Sequence, residues 1–559
     1  MLAAYLGFVL AFGVCIVILL IGIKAQRGIE NSRYQSMLPY GEETQLMQDK
    51  HELHRYGFAQ LLRRKMNGIS ALGLSFNVMA LIGGAALIYG PAVQAGGFTV
   101  IAVGLPVVAL FSILVSASIA ELSSQMPTAG GIYHAALRLG GRRLGMRVGI
   151  YQWLGQLAML ALFIGGAAYL TDGYAAQRLG YGISFYSFWS WSLVISASYF
   201  AVNKWGAAMN RFVQFGAFWG QLLLAALIIG SLAWTFWPLG FDPSELYHWQ
   251  NADLTGGVSP ASFAVGLLLL SKLFLGNEGA AQGAEEIIEP RIKSPWAVFL
   301  SSAYMYVIGF VLLFFMSLIL LTAGGVSSAM ASTSLIDNGI PFLFQQLAGS
   351  GILASPLIQL LILISLWQSG SQSMSHCSRL LFSMARDGSV PFSGKLGHVR
   401  ADRRIPLNAL LASGLSALAL LALASTATAG FPVLPLLSLS ILCLYSSHGI
   451  SIGLKLKQQL DSRGRTFLHA ARKDERGPWQ LGSWSTVIHI LALLWLGISI
   501  LLAILCLPSF GLIVTAAATL LSTALLMRYG ATGGVSPQKS MDKRRESEDW
   551  SRIERDYSA

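Results

Sequence analysis

Uncharged apolar runs of about 20 residues recur along almost the whole chain, and a helix needs a run of that length to cross the hydrocarbon of a bilayer. They fall near 2–23, 70–92, 98–120, 146–170, 184–203, 210–236 and 262–284. The series continues near 296–322, 351–378, 407–426, 431–454, 485–507 and 509–528. Lipid offers backbone groups no water to bond, so such a chain must fold as helices packed on one another. With 54% hydrophobic and 11% charged residues, it reads as an all-α polytopic membrane protein, and a soluble domain is excluded.

The net charge of +12 invites a nucleic-acid reading, but its placement argues topology instead. If the spans after the first form a twelve-span core, Arg178 is the one basic residue in an outer loop and Lys272 the one in mid-span. The remaining Lys and Arg gather at one side, which orients the core with both ends in the cytoplasm. The opposite side carries the loop from Pro238 to Pro260, with Asp242, Glu245 and Asp253 and no basic residue. A nucleic-acid partner is therefore not expected; the partner is the lipid bilayer.

Residues 1–24 are expected to form an extra amino-terminal transmembrane helix. The run lacks a basic start and a small-residue cleavage site, and is long for a cleaved signal. Residues 25–66 and 529–559 read as a cytoplasmic linker and a cytoplasmic tail with little packed core. Cys15, Cys377, Cys443 and Cys506 lie in apolar spans without ligand spacing, which argues for packing and against a disulfide framework or a zinc site. The loop at 171–183 also lacks cysteine, so no disulfide-linked accessory subunit is expected there.

Two spans are interrupted in a way that lipid alone would not tolerate. One holds Gly276-Asn277 with Lys272 and Glu278 on either side; the other carries Ile82-Gly83-Gly84. Glycine breaks at matching places in two halves are the pattern of a carrier with discontinuous helices. Core spans one to five and six to ten form two groups, at 67–237 and 261–455. Because five is odd, the second group inserts upside down, giving a 5+5 inverted repeat with discontinuous first and sixth core helices. Spans eleven and twelve, at 484–528, complete the chain. The half-helix beginning after Gly84 would point its positive end and free amides inward, suited to a carboxylate, and carbonyls near Phe274, Leu275 and Gly276 suit an ammonium group. The plainer alternative is that the glycines permit close helix packing.

Further motifs stand in a fixed order. They are Ala95-Gly96-Gly97, Ala120-Glu121-Leu122-Ser123-Ser124 and Pro127-Thr128-Ala129-Gly130-Gly131-Ile132-Tyr133. Then come Gly276-Asn277-Glu278 with Glu285-Glu286 and Pro295, Ser378-Arg379, Ala385-Arg386-Asp387-Gly388 with Pro391, and Ile405-Pro406-Leu407-Asn408-Ala409. In these the chain resembles the amino acid–polyamine–organocation superfamily over residues 67–528, nearest in look to fungal-type permeases for amino acids, 4-aminobutyrate and choline. The resemblance implies the twelve-span core, peripheral spans eleven and twelve, and substrate bound where Ile82 to Ala85 face Phe274 to Glu278. It also implies that the Pro127–Tyr133 and Arg386–Pro391 motifs shape gating. The chain departs from the family pattern at Ile82-Gly83-Gly84, where many relatives place a small polar residue, at Lys272, and in its extra first helix.

The remaining polar residues leave alternatives open. Glu278 is a candidate to carry a proton in each cycle, since a poorly hydrated carboxyl favours its neutral form. Capping the second half-helix or pairing with Lys272 would also account for it. Lys272 would cost roughly 2.5 to 3.5 kcal/mol exposed at mid-bilayer, so it must face protein or water. A salt bridge to Glu278 is the favoured reading, then substrate contact or a fixed charge in place of sodium. Glu285 and Glu286 are expected to pair with Arg or Lys in loops. His376, His448 and His489 are expected to hydrogen-bond between helices, and Ser369, Ser371, Ser373 and Ser375 to ligate sodium or bond backbone carbonyls.

No convergent nucleophile, base or metal set marks an enzyme. The expected function is secondary active transport of amino acids or related amines by alternating access, coupled to protons rather than sodium. It needs no cofactor and is placed at the plasma membrane rather than an internal one. A nutrient sensor of the same fold is the alternative, and a membrane enzyme a more remote one.

Overall fold

A computed structural model describes residues 2–30, 42–205, 207–236, 246–247, 259–322, 356–399, 405–426, 431–463, 477–506, 520, 523–524 and 528. Among these the chain is helical, with no strand beyond one parallel bridge between Met66 and Ile287. Among the described residues every expected span from 2–23 to 485–507 falls on helix, those at 70–92 and 262–284 on interrupted ones. Most of the acidic loop at 238–260, most of the span at 509–528 and the tail at 529–559 lie outside the described residues. Nine described helices are long and apolar enough to cross a membrane. Large apolar side chains such as Tyr5, Phe12, Leu193, Leu223, Leu415 and Leu494 are exposed on helix surfaces, as lipid-facing positions should be. The chain is an integral, multi-pass membrane protein.

The extra helix α1 (Leu2–Glu30) packs its buried side on a later helix, where Tyr306 donates its hydroxyl to the Ala11 carbonyl at 3.0 Å. The expected linker is more ordered than its composition suggests. Residues 42–55 form α2 (Glu42–Arg55), and Leu53, Phe58, Ala59, Leu62 and Met66 are buried. Several of its polar groups are paired: Arg64 faces Asp49 at 3.5 Å, Arg291 faces Glu52 at 3.3 Å, and the Glu289 amide donates to Asp49 at 3.0 Å. The expectation of little packed core fails here.

The first core span is two helices. Helix α3 (Gly68–Met79) starts at Asn67, whose side chain accepts the Ser70 amide at 2.9 Å, and α4 is Leu81–Gly96. Between them Ala80 sits at φ 60°, a left-handed conformation that costs a residue with a Cβ. The break therefore comes two residues before the expected Ile82, and Gly83 and Gly84 lie in the first turn of α4.

Helices α5 (Leu105–Gln125), α6 (Ile132–Leu179), α7 (Phe185–Lys204) and α8 (Ala207–Phe236) complete the first half. Gly141, at φ 74°, kinks α6 before its spanning part. The sixth core span is likewise divided: α9 (Pro260–Ser271), one tight turn at Lys272–Phe274, extended backbone at Leu275, Gly276 at φ 96°, then the short α10 (Gly279–Gln282). Beyond it lie α11 (Pro290–Thr322), α12 (Pro356–Arg386), α13 (Leu407–Ser425), α14 (Val433–Arg463) and α15 (Ser485–Cys506). Helix α4 packs on α9 and α3 on α10, so the two breaks lie side by side.

Candidate functional site

The two interruptions bring the sequence-predicted residues together at the centre of the protein. Ile82, Ala85, Lys272, Phe274, Leu275, Asn277 and Glu278 are all buried, and Gly83 and Gly84 have no room around them. A Cβ at Gly83 would stand 2.7 Å from the Leu366 Cα on α12. One at Gly84 would stand 2.5 Å from the Lys272 Nζ. Both glycines thus serve close approach, one to a helix backbone and one to a charge.

Starting a helix at Leu81 leaves its first amides without intrahelical partners. The Leu81 amide donates to Gln221 Oε1 at 2.8 Å and the Gly84 amide to the Ala80 carbonyl at 2.7 Å. The amides of Ile82 and Gly83 belong to the same first turn, whose donors have no earlier carbonyl of α4 to reach. They stand at the positive end of α4, where an anion is favoured.

Lys272 fills the gap between the half-helices. Its Nζ donates to the Met79 carbonyl at 2.7 Å, at the negative end of α3, and lies 4.7 Å from the centre of the Phe163 ring on α6. The favoured reading of the sequence, a salt bridge to Glu278, is not made: neither side chain pairs with the other. The reason is the backbone. Lys272 points back to the first break from its tight turn, whereas extended Leu275 and Gly276 carry Glu278 away before α10 begins.

Glu278 faces a different set. Gln156 donates Nε2 to its Oε1 at 3.4 Å, and His448 Nε2 lies 3.9 Å from its Oε2. Tyr445, one turn before His448 on α14, lies within electrostatic range. His448 was expected to bond another helix, but both its ring nitrogens are unpartnered. His489 does meet that expectation, contacting Ser118 at 2.8 Å and Ser485 at 3.1 Å. Gln152 and Gln156 went unread in the sequence; two amides four apart in an apolar helix were the available signal. Asn277 donates to Ser116 at 2.6 Å, and its carbonyl accepts the Ser75 hydroxyl at 2.6 Å, which ties the second break to α5 and α3. Ser369 donates to the Ser365 carbonyl at 3.0 Å, and Ser371 accepts from Asn203 at 3.1 Å.

Just beyond α10, two ion pairs tie the chain to α12. Arg386 grips Glu285 at 2.8 and 3.3 Å and Arg379 grips Glu286 at 2.7 and 3.2 Å. Both arginines come from α12 rather than from loops. Burial alone would raise the Glu285 carboxyl. Arg386, the Ala129 amide and His134 together pull it below the usual carboxylate range. Phe58, from the segment after α2, stacks on His134 and lies under the Arg386 guanidinium at 4.2 Å. The Asp49 carboxyl, in α2, is pushed up to about 6 by burial, against the pull of Arg64 and the Glu289 amide.

The arrangement offers an anion receptor at one break and a carboxylate with polar neighbours at the other, in a closed interior. Among the described residues no group of His, Cys, Asp and Glu fits a metal. Comparison with known sequences agrees with a carrier. Residues 66–527 match the family model described as amino acid permease. The amino-acid permease BAT1 of Arabidopsis thaliana is 24% identical, over 82% of this chain and 88% of its own. Its homolog from Oryza sativa is 23% identical, over 79% and 85%, and amino-acid permease 2 of Neurospora crassa is 24% identical, over 79% of each.

Proposed function

The chain belongs to the amino acid permease family, a family of transporters and not of enzymes, and from that premise we propose that it is a secondary active carrier of amino acids working by alternating access. The observation that carries the proposal is the first break. A fully buried ammonium on Lys272 has one hydrogen-bond partner, with the first-turn amides of Ile82 and Gly83 at the start of the adjoining half-helix. A buried charge without a counter-ion is costly. The carboxylate of an amino acid supplies one and takes those donors. Lys272 is then the substrate-contacting fixed charge that stands where a carrier of this design could hold sodium. Phe274, Leu275, Gly276 and Asn277 form the facing wall, with Ala85 behind.

The side-by-side breaks of α3/α4 and α9/α10 support an inverted repeat of residues 67–237 and 261–455, with core spans one, two, six and seven rocking against the others. Glu278 is the coupling residue. It is the buried carboxylate at the second break and lacks a strong cationic partner, so it can take and release a proton as its side of the cavity wets and dries. The Glu285–Arg386 and Glu286–Arg379 pairs close the inner gate, on the cytoplasmic side, and the plasma membrane is the membrane served.

Reconstituted uptake tests this. Purified protein in sealed vesicles should accumulate labelled amino acid when the outside is acidified, and a sodium gradient should add nothing. Binding without uptake would make the chain a sensor, and sodium-driven uptake would reassign the coupling ion.

A further inference from the structure

On the reading of Glu285–Arg386 and Glu286–Arg379 as the inner gate, we propose that residues 56–66 form a strap whose apolar side chains latch that gate, and that the latch lifts to open it while the strap stays anchored. Two kinds of contact, made to two parts of the protein, carry this. The anchors are polar. Gln60 donates to the Glu285 carbonyl at 3.0 Å, the Lys65 and Met66 amides to the Glu286 carbonyl at 3.0 and 2.9 Å, and the Ile288 amide to the Met66 carbonyl at 2.9 Å. Arg64 donates to the Ile287 carbonyl and Tyr56 to the Gln125 carbonyl, at 2.6 and 2.8 Å. These partners lie at the end of α5 and between α10 and α11. All belong to core spans one, two, six and seven, the body that rocks in the proposed cycle, and the strap itself runs on into α3.

The latch is apolar and goes to the other body. Phe58 stacks on His134 of α6, with ring centres 4.9 Å apart, and Leu62 is buried in a cluster with Tyr133 and Ile150 of α6 and Leu381 and Ala385 of α12. Leu61 packs against the same cluster, and the Arg138 guanidinium of α6 lies 5.7 Å from the centre of the Tyr56 ring. Backbone hydrogen bonds hold a segment in one register, whereas apolar contact has no direction, so the patch can part and reseal while the anchors keep their bonds. Phe58 also covers the gate itself. Its ring centre lies 4.2 Å from the Arg386 guanidinium, which grips Glu285 across the boundary between the two bodies. While the ring is seated the pair is shielded from water and its attraction is strong. Once the ring lifts, water reaches the pair and the attraction falls toward that of a surface pair. The latch therefore parts before the ion pair does.

The test is alkylation of the full-length protein in lipid nanodiscs, where a charged maleimide reaches both faces. Leu62→Cys reports the latch and Met66→Cys the anchor, with wild type giving the background of the native cysteines; a mixture of the common amino acids is the probe. The thiol at position 62 should react roughly 10-fold faster when Phe58→Ala is added, the weight of one lost aromatic anchor. It should also react faster when the amino acids are present, and the thiol at position 66 should stay protected throughout. Should Leu62→Cys fail to fold, Leu61→Cys reads the same patch. Equal reaction at 62 and 66, which means that the whole segment leaves, overturns the latch, as does protection at 62 despite Phe58→Ala. Amino acids that are taken up into vesicles yet leave position 62 protected overturn it too. If none is taken up, the carrier reading has failed, and the Phe58→Ala arm alone decides the latch.

Discussion

Gly83 and Gly84 are adjacent, yet adding one methyl group to each should fail in different ways. At Gly83 the new Cβ meets the Leu366 Cα at 2.7 Å, with Leu366 N and Cβ at 3.0 Å. A helix backbone cannot step aside, so α4 and α12 must separate, at a cost of about 1–3 kcal/mol. At Gly84 the Cβ meets the Lys272 Nζ at 2.5 Å, the far end of a flexible side chain, with Met79 O next at 3.1 Å. The ammonium moves, and alanine in the first turn of α4 returns up to about 1 kcal/mol of helix propensity. Moving it misplaces the anion receptor, and a charged hydrogen bond to a substrate carboxylate is worth about 1.5–3 kcal/mol. That corresponds to roughly 10- to 100-fold in substrate affinity. Gly83→Ala should therefore lower the thermal midpoint in detergent, whereas Gly84→Ala should keep the midpoint and lose affinity in a binding or uptake assay. Equal thermal loss in both, or wild-type affinity in Gly84→Ala, would refute the placement of Lys272 as the receptor.

Three other outcomes follow from the same geometry. Glu278→Gln should retain exchange of labelled for unlabelled amino acid across vesicles but lose accumulation driven by a pH gradient; retained accumulation would move coupling to another residue. Arg386→Ala leaves Glu285 buried and unpaired, so it should destabilise by about 3–5 kcal/mol near neutral pH. Acidification should narrow the gap to wild type, because protonation removes the stranded charge; a gap independent of pH would contradict the assignment. Asp49, with its carboxyl at about 6 against an ordinary 3.8, favours the protonated form when folded. Its contribution to stability is full below the ordinary value and lost as pH rises through 6. Asp49→Asn should thus gain thermal stability on wild type between pH 4 and pH 7, and a constant difference in melting scans would count against it.

The spans were legible because their signal is simple: length and the absence of charge decide what enters lipid. So were the two broken helices, since glycine and charge inside an apolar run have few other uses. The exact first break was not. Ala80 takes the left-handed conformation, and nothing about alanine announces it; Gly83 and Gly84 drew the eye although their role is close approach inside α4. The Lys272–Glu278 pair failed because proximity in sequence across an unwound segment says little about direction in space. Gln156 and His448 became neighbours of Glu278 only when α6 and α14 were brought against the second break. The burial of residues 42–66 was hidden for a related reason. A segment rich in charge reads as solvated, and here its charges are spent on Arg64, Glu289 and Arg291.

The central claim is that a substrate carboxylate is held between Lys272 and the first-turn amides of Ile82 and Gly83. Its most direct measurement is competition by a matched pair, an amino acid that the vesicles accumulate and its carboxamide, against the same amino acid labelled, in wild-type vesicles and in Lys272→Met. The account predicts that the carboxamide, which lacks the anion, competes at least 10-fold worse in wild type, and that the difference collapses in Lys272→Met. The carboxamide competing as well as the amino acid in wild type would contradict it.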